Sequence, residues 1–247
     1  MRTRLVTTAL VAVIAVALMG AAGCRRVPLE EIDGPSGISV ERISIPLAGA
    51  QQLDARFEVP AGEFSLSGGS TQALEAEVRH SRDWVPRTDY SVEASTGVLR
   101  VDQNTIARIR PFRQQANEWD AKLVSGVPVD LEVELGAGQS TIDLRDVDVR
   151  ALKVLTGVGE TTVDLSGTRT SDVAARIEAG IGELTVRVPS GIGVRVTTIS
   201  EGVGDFSFEG FEKDGDDYVN DAYATSDVKM EITLHRGIGE ITFESVP

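Results

Sequence analysis

The chain has 247 residues, with 38 Asp and Glu against 24 Lys and Arg and a formal net charge of −14. That balance excludes docking on nucleic-acid phosphates or through a polybasic patch on anionic lipid. A single cysteine excludes intrachain disulfides, and 5% aromatics beside 25 glycines point to a strand-and-turn protein with an aliphatic core.

Met1-Arg-Thr-Arg4 is basic, Leu5 to Ala22 is nearly all apolar, and Ala21-Ala22-Gly23 places small residues before Cys24. This is the layout of a secretory signal peptide over residues 1–23. It resembles the lipobox of bacterial lipoproteins. That resemblance implies cleavage before Cys24, acylation of Cys24 and attachment to a membrane through it. An uncleaved anchor is the alternative, because about 18 apolar residues can span a bilayer. A lone thiol in an oxidising compartment favours the lipid. The expected location is extracytoplasmic, on the outer membrane or the outer face of the plasma membrane.

Residues 24–40 contain Pro28, Gly34, Pro35 and Gly37 without apolar periodicity and read as a flexible tether. Residues 41–123 read as an N-terminal β block or cap. Leu53, Ala55, Phe57 and Val59 alternate as a half-buried strand does, and Leu74, Ala76 and Val78 alternate again. A hairpin is expected around Ser95-Thr-Gly97, and a loop from Gln103 to Glu118.

Residues 124–247 carry a repeat. Gly136-Ala-Gly-Gln-Ser-Thr-Ile-Asp-Leu144 returns as copies opening at Gly157, Gly180, Gly202 and Gly237, so that the first glycines stand 21, 23, 22 and 35 residues apart. Pro60-Ala-Gly-Glu-Phe-Ser-Leu66 is a degenerate earlier copy. A fixed short period means stacked units, each burying its apolar face on a neighbour. The apolar phase changes within each copy, which a period-2 strand achieves only at a corner, and glycine supplies the freedom for one. The columns Ala137, Val158, Ile181, Val203, Ile238 and Ile142, Val163, Val186, Phe208, Phe243 are both expected to line the shared core. The surplus in the last interval, Gly210 to Ala222, is expected to be a solvated acidic loop.

Two polar ladders accompany the glycines. Gln139, Glu160, Glu183, Asp205 and Glu240 form a carboxylate ladder, and Thr141, Thr162, Thr185, Ser207 and Thr242 a hydroxyl ladder. Neither matches the spacing of calcium-binding glycine repeats, so solvated edges are expected, with no metal and no cofactor. Asp214, Asp216, Asp217, Asn220 and Asp221 do not follow the EF-hand pattern. His80 and His235 have no cysteine ligand beside them, no copy is a phosphate loop, and no G-x-S-x-G elbow is present. No catalytic residues are expected.

Pro128 to Leu144 followed by Gly157 to Leu165 resembles the bacterial toast-rack family, a domain without an assigned function. That family is related to the C-terminal domain of cell-wall-active-antibiotic response proteins and to adhesin repeats. Leu74-Glu-Ala-Glu-Val78, Gly97-Val-Leu-Arg-Val101 and Asn117-Glu-Trp119 are similar to its N-terminal part. The resemblance implies an all-β, single-layered, right-handed β-solenoid, here of about five to six rungs of about 22 residues. It implies a lipid-anchored, non-catalytic, adhesin-like scaffold whose protein partner is unknown. An accessory sensor of envelope stress and a carbohydrate-binding surface protein are the alternatives. Terminal rungs leave strand edges unpaired, so self-association is a further expectation.

Overall fold

A computed structural model describes residues 30–33, 37–81, 84–105, 116–200 and 202–247; Cys24, the leader and most of the tether lie outside them. The described residues form one 17-stranded sheet and contain no helix. The strands of the N-terminal block are β1 (Glu30–Asp33), β2 (Ile38–Ile45), β3 (Gln52–Ser70), β4 (Leu74–Ser81), β5 (Trp84–Glu93), β6 (Thr96–Thr105) and β7 (Asn117–Val124). The repeats supply β8 (Pro128–Asp143), β9 (Asp148–Asp164), β10 (Val173–Glu178), β11 (Ile181–Pro189), β12 (Gly193–Ser200) and β13 (Phe206–Glu209). The surplus and the last copy supply β14 (Phe211–Asp214), β15 (Asp217–Asn220), β16 (Lys229–His235) and β17 (Ile238–Val246).

The repeats stack in parallel and in register, as their period requires. β3 pairs β8 from Leu53↔Val129 to Leu66↔Ile142, so Pro60–Leu66 is a full copy of the repeat. β8 pairs β9, with Ala137 opposite Val158 and Thr141 opposite Thr162. β9 is followed by β10 and β11. Each rung sends alternate aliphatic side chains inward on both sides of its glycine corner. Leu152 and Val154 do so before the corner of β9, and Val163 and Leu165 after it, all at 3% exposure or less. Together with their equivalents they form one continuous core.

The order of the stack departs from the order of the chain. β10 and β11 pair β16 and β17, and these in turn pair β12 and β13. The fifth copy therefore lies between the third and the fourth. It is interior, paired on both edges, and does not end the stack. The 210–222 segment is correspondingly a β-hairpin and not a loop. β14 and β15 pair with each other, and β15 adds antiparallel to β12. Tyr218 stacks on Phe208 with ring centroids 3.7 Å apart, and Phe208 on Phe243 at 5.4 Å. Buried Asn220 holds the hairpin by donating to the Ile192 carbonyl and accepting from the Val194 amide. The acids of this segment do not converge on a metal: Asp214 and Asp217 instead lie 3.7 and 3.6 Å from the Arg195 guanidinium.

The other end is closed in the same manner. β6 and β7 lie parallel on the outer edge of β3, and antiparallel β5 and β4 then cover them, with β2 and β1 beyond β4. The hairpin expected at Ser95-Thr-Gly97 joins β5 to β6. Asn117 stands where the next glycine of the column would fall. Its side chain donates to the Ala61 carbonyl and exchanges hydrogen bonds with buried Gln103. Antiparallel strands thus cover the parallel rungs at both ends, and covering an edge is a known protection against edge-to-edge pairing.

Two stacked columns of glycine set the corner. A Cβ on Gly157, Gly180 or Gly237 would overlap the carbonyl oxygen of Gly136, Gly157 or Gly180 in the rung beneath. In the second column Gly138, Gly159, Gly182, Gly239 and Gly204 have φ between 132° and 142°, and each again covers the carbonyl of the glycine before it in the stack. Any other residue there is both strained and in collision with backbone.

Replacing Gly159 by Ala is expected to destabilise the protein by about 3 kcal/mol or more in urea unfolding, because the displaced atoms are backbone. Gly191→Ala, where a Cβ meets open space, is expected to change stability by less than about 0.5 kcal/mol. The stacking order is checked by disulfide formation between introduced cysteines. Thr185→Cys with Thr242→Cys, opposite each other in register, is expected to cross-link on oxidation. Thr185→Cys with Ser207→Cys is not, because β17 lies between them.

Candidate interaction surface

The corner reverses which side of the chain faces the core, and it does so at the inter-glycine residue. Val158, Ile181, Ile238 and Val203 point into solvent at 55%, 53%, 55% and 69% exposure. The expectation that this column lines the core is therefore corrected, whereas Ile142, Val163, Val186 and Phe243 are fully buried as expected. The cause is local. Backbone with φ near +140° at the second glycine turns the following strand, so the inward series resumes three residues after Val158, at Thr161, Val163 and Leu165.

The exposed residues are neighbours across the stack. Ala61 lies opposite Ala137, Ala137 opposite Val158, Val158 opposite Ile181, Ile181 opposite Ile238, and Ile238 bridges Val203. Rungs are about 4.8 Å apart, so this is one unbroken aliphatic row. The side chains two residues further along each strand share that face. They form the carboxylate ladder, whose order in space is Glu63, Gln139, Glu160, Glu183, Glu240, Asp205. Two residues beyond it runs the hydroxyl ladder from Ser65 and Thr141 to Thr242 and Ser207. The outer face thus carries an apolar, an acidic and a hydroxyl row side by side.

Elsewhere many acids find a basic partner on the same or a neighbouring rung. Arg56 binds Glu134 at 2.7 Å and Glu132 at 3.3 Å, and Lys153 reaches Glu132 at 2.7 Å from the next rung. Arg187 pairs with Glu244 at 2.8 Å, and Arg145 with Asp143 at 2.6 Å. The acidic row is different. Gln139 donates to Glu160 at 3.2 Å, but among the described residues no ion pair or side-chain hydrogen bond engages Glu183, Glu240 or Asp205. Like unit charges one rung apart repel by about 1 kcal/mol in a water-like medium. Next to the Asp205 end of this face, Arg236 holds its guanidinium 4.6 Å from the Phe206 ring centroid. At its other end the acidic row borders a groove of about 430 Å³ lined by Glu63, Glu77, Arg79, Glu118 and Asp120.

The remaining candidates are structural. His80 is buried, with Nε2 3.0 Å from Glu41 Oε1 and Nδ1 2.9 Å from the Ser81 carbonyl; His235 lies in another rung, on β16. No group of three or more His, Cys, Asp or Glu among the described residues could hold a metal ion. Trp119 and Tyr90 are buried, and Trp119 with Phe64 lies at the floor of the groove without presenting an exposed aromatic face. Sequence reasoning missed Arg169, a buried guanidinium that donates to the carbonyls of Leu144, Val147 and Leu165 and closes the turns after β8 and β9. An arginine in a polar turn gave no sign of this.

The sequence matches the family described as the N-terminal domain of toast_rack, DUF2154, over residues 35–187, more than half of the chain. The chain belongs to the toast_rack family. This toast_rack chain is similar to a solved "putative cell adhesion protein" of Clostridium sporogenes, at 27% identity and a TM-score of 0.79, over 84% of this chain and 99% of that one. A "putative adhesin" of Bacteroides fragilis is matched at 11% identity and a TM-score of 0.33, over 83% and 96% of the two chains. Another, of Parabacteroides merdae, is matched at 9% and 0.20, over 87% and 99%. These two are too distant to carry an argument. None of the curated proteins matches. Among the described residues no helix is long and apolar enough to cross a membrane.

The paired columns give a pH signature. The hydrogen bond from Lys153 is the main reason that the Glu132 carboxyl ionises below its ordinary value of 4.5; partial burial opposes this, and the Arg56 guanidinium adds to it. A depressed carboxylate contributes stability that is full above its unfolded pKa and lost as pH falls through the folded one. Between pH 6 and pH 3, about the range of carboxyl titration, the wild type is expected to lose more of its melting temperature than Glu132→Gln. The variant lacks this contribution at both values.

Proposed function

We propose that the protein is a lipid-anchored surface protein of the bacterial envelope that acts by non-catalytic contact with another protein, in the manner of an adhesin. The exposed aliphatic row carries this reading. A contiguous apolar patch of about 400 Å² is, on a soluble protein, often the site of contact with a partner. The name given to the similar clostridial protein agrees with contact as the function, and the Ala21-Ala22-Gly23-Cys24 sequence agrees with anchoring. The groove beside the acidic row carries the hydroxyls of Ser65, Ser140, Thr141 and Thr162 next to its acids, a surface suited to polar contact.

Two measurements in the native cell test this. Cys24→Ser is expected to abolish incorporation of labelled fatty acid and to release the protein from the membrane fraction; continued membrane retention would overturn the anchor. Ile181→Asp with Ile238→Asp, at half-exposed positions where the introduced pair repels by about 1 kcal/mol, is expected to reproduce the deletion phenotype while anchored in normal amount. Wild-type behaviour of that strain would remove the contact role.

A further inference from the structure

The aliphatic row is narrow, regular and flanked on one side by uncompensated acid, and these three properties describe its partner. Four side chains at about half exposure offer roughly 100 Å² each, about 400 Å² together, where a stable globular interface takes about 800 Å² from each partner. A surface one residue wide suits a single secondary-structure element better than a second globular face. The row from Ala137 to Val203 spans four rung intervals, about 19 Å. One turn of α-helix rises 5.4 Å, close to the rung spacing of about 4.8 Å, whereas same-face residues of an extended strand recur every 6.6–6.8 Å and fall out of step at once. Helical apolar residues at i, i+3, i+7 and i+10, which rise about 4.5, 10.5 and 15 Å along the axis, would follow Val158, Ile181, Ile238 and Val203 in turn.

Charge selects among helices. Glu160, Glu183, Glu240 and Asp205 lie about 7 Å to one side of the aliphatic row, within reach of a lysine or arginine projecting from the flank of a helix seated on it. The same acids repel an anionic lipid surface. A second copy of this chain, at net charge −14 and without a helix among its described residues, offers neither the shape nor the sign. Resting on the contact role proposed above, we infer that the face formed by Val158, Ile181, Ile238 and Val203 with Glu160, Glu183, Glu240 and Asp205 binds a basic amphipathic α-helical segment of a partner protein. Leucine-type side chains cover the aliphatic row, and lysines or arginines neutralise the acidic one.

Fluorescence anisotropy with the full chain and a synthetic Leu/Lys peptide of about 14 residues, its leucines at helical spacing, tests this. Micromolar binding is expected, weakened at least tenfold by raising salt from about 50 to 300 mM. Ile181→Ser with Ile238→Ser is expected to weaken it at least tenfold, and Glu183→Gln with Glu240→Gln to weaken it and reduce its salt dependence. All four side chains are solvent-facing, and unchanged melting temperatures verify that the variants are folded. A Leu/Glu peptide of the same pattern should not bind, and a Ser/Lys peptide should bind at least tenfold more weakly. The inference is overturned if the variants bind as the wild type does, if Ser/Lys equals Leu/Lys, or if Leu/Glu binds as well. It is equally overturned if the row instead holds a dimer that Ile181→Ser with Ile238→Ser dissolves, or binds phosphatidylcholine vesicles in place of the peptide. Failure here with a deletion-like phenotype for the aspartate variant in cells would reject this partner and leave the contact role standing; a normal phenotype would reject both.

Discussion

The close approach of glycine to glycine along the stack is the constraint on which the other features depend. Each rung must turn within three residues, and successive rungs must turn in the same place at the spacing of a hydrogen-bonded sheet. No side chain fits where one corner lies on the carbonyl of the next. Once the glycines fix the corner, the register of every neighbouring residue follows. Register in turn brings aliphatic side chains together on the inside and sorts outward-facing residues into rows of one type. The exposed rows and the fold therefore share a cause: a repeat that must keep its glycines in line also lines up whatever stands between and beside them.

Charge shows which rows are built for the molecule itself. Columns on both arms of the rung mix acids with arginine or lysine, so that neighbours such as Arg56, Glu132 and Lys153 attract along the stack. Beside the glycine corner the acids follow one another without relief. Cross-strand repulsion of this kind is tolerated because the exposed site is well solvated and the core is continuous. A structural edge would gain from one lysine in that row, and Gln139 is the only softening present among Glu63, Glu160, Glu183, Glu240 and Asp205.

Much of the architecture is legible in the sequence. The five glycine doublets, their 22-residue spacing and the echo at Pro60–Leu66 identify the rungs, and the phase change identifies the corner. Two things are not legible. The first is the direction of Val158, Ile181, Val203 and Ile238. Alternation extrapolated through the corner places them inside, and residue type alone does not separate an exposed aliphatic row from a core one. The second is the order of the coils. Every copy presents the same parallel edge, so pairing preference does not distinguish a fourth copy from a fifth. Two weak signals exist. The long last interval supplies enough chain for a hairpin and a return, and Phe206 and Phe208 make the fourth copy the most divergent, as suits a half-covered end.

Placement of the fifth coil inside the stack makes assembly depend on the completeness of the polypeptide. In a rack filled in order of synthesis, a chain cut short is merely shorter. Here β16 and β17 emerge after the rung they separate from β11, so a chain stopped before them lacks an interior bar. Two facing sets of unpaired amide and carbonyl groups are then left where the core should close. Proteases and chaperones recognise such edges, and the cell would thereby keep finished molecules and discard truncated ones without a dedicated signal.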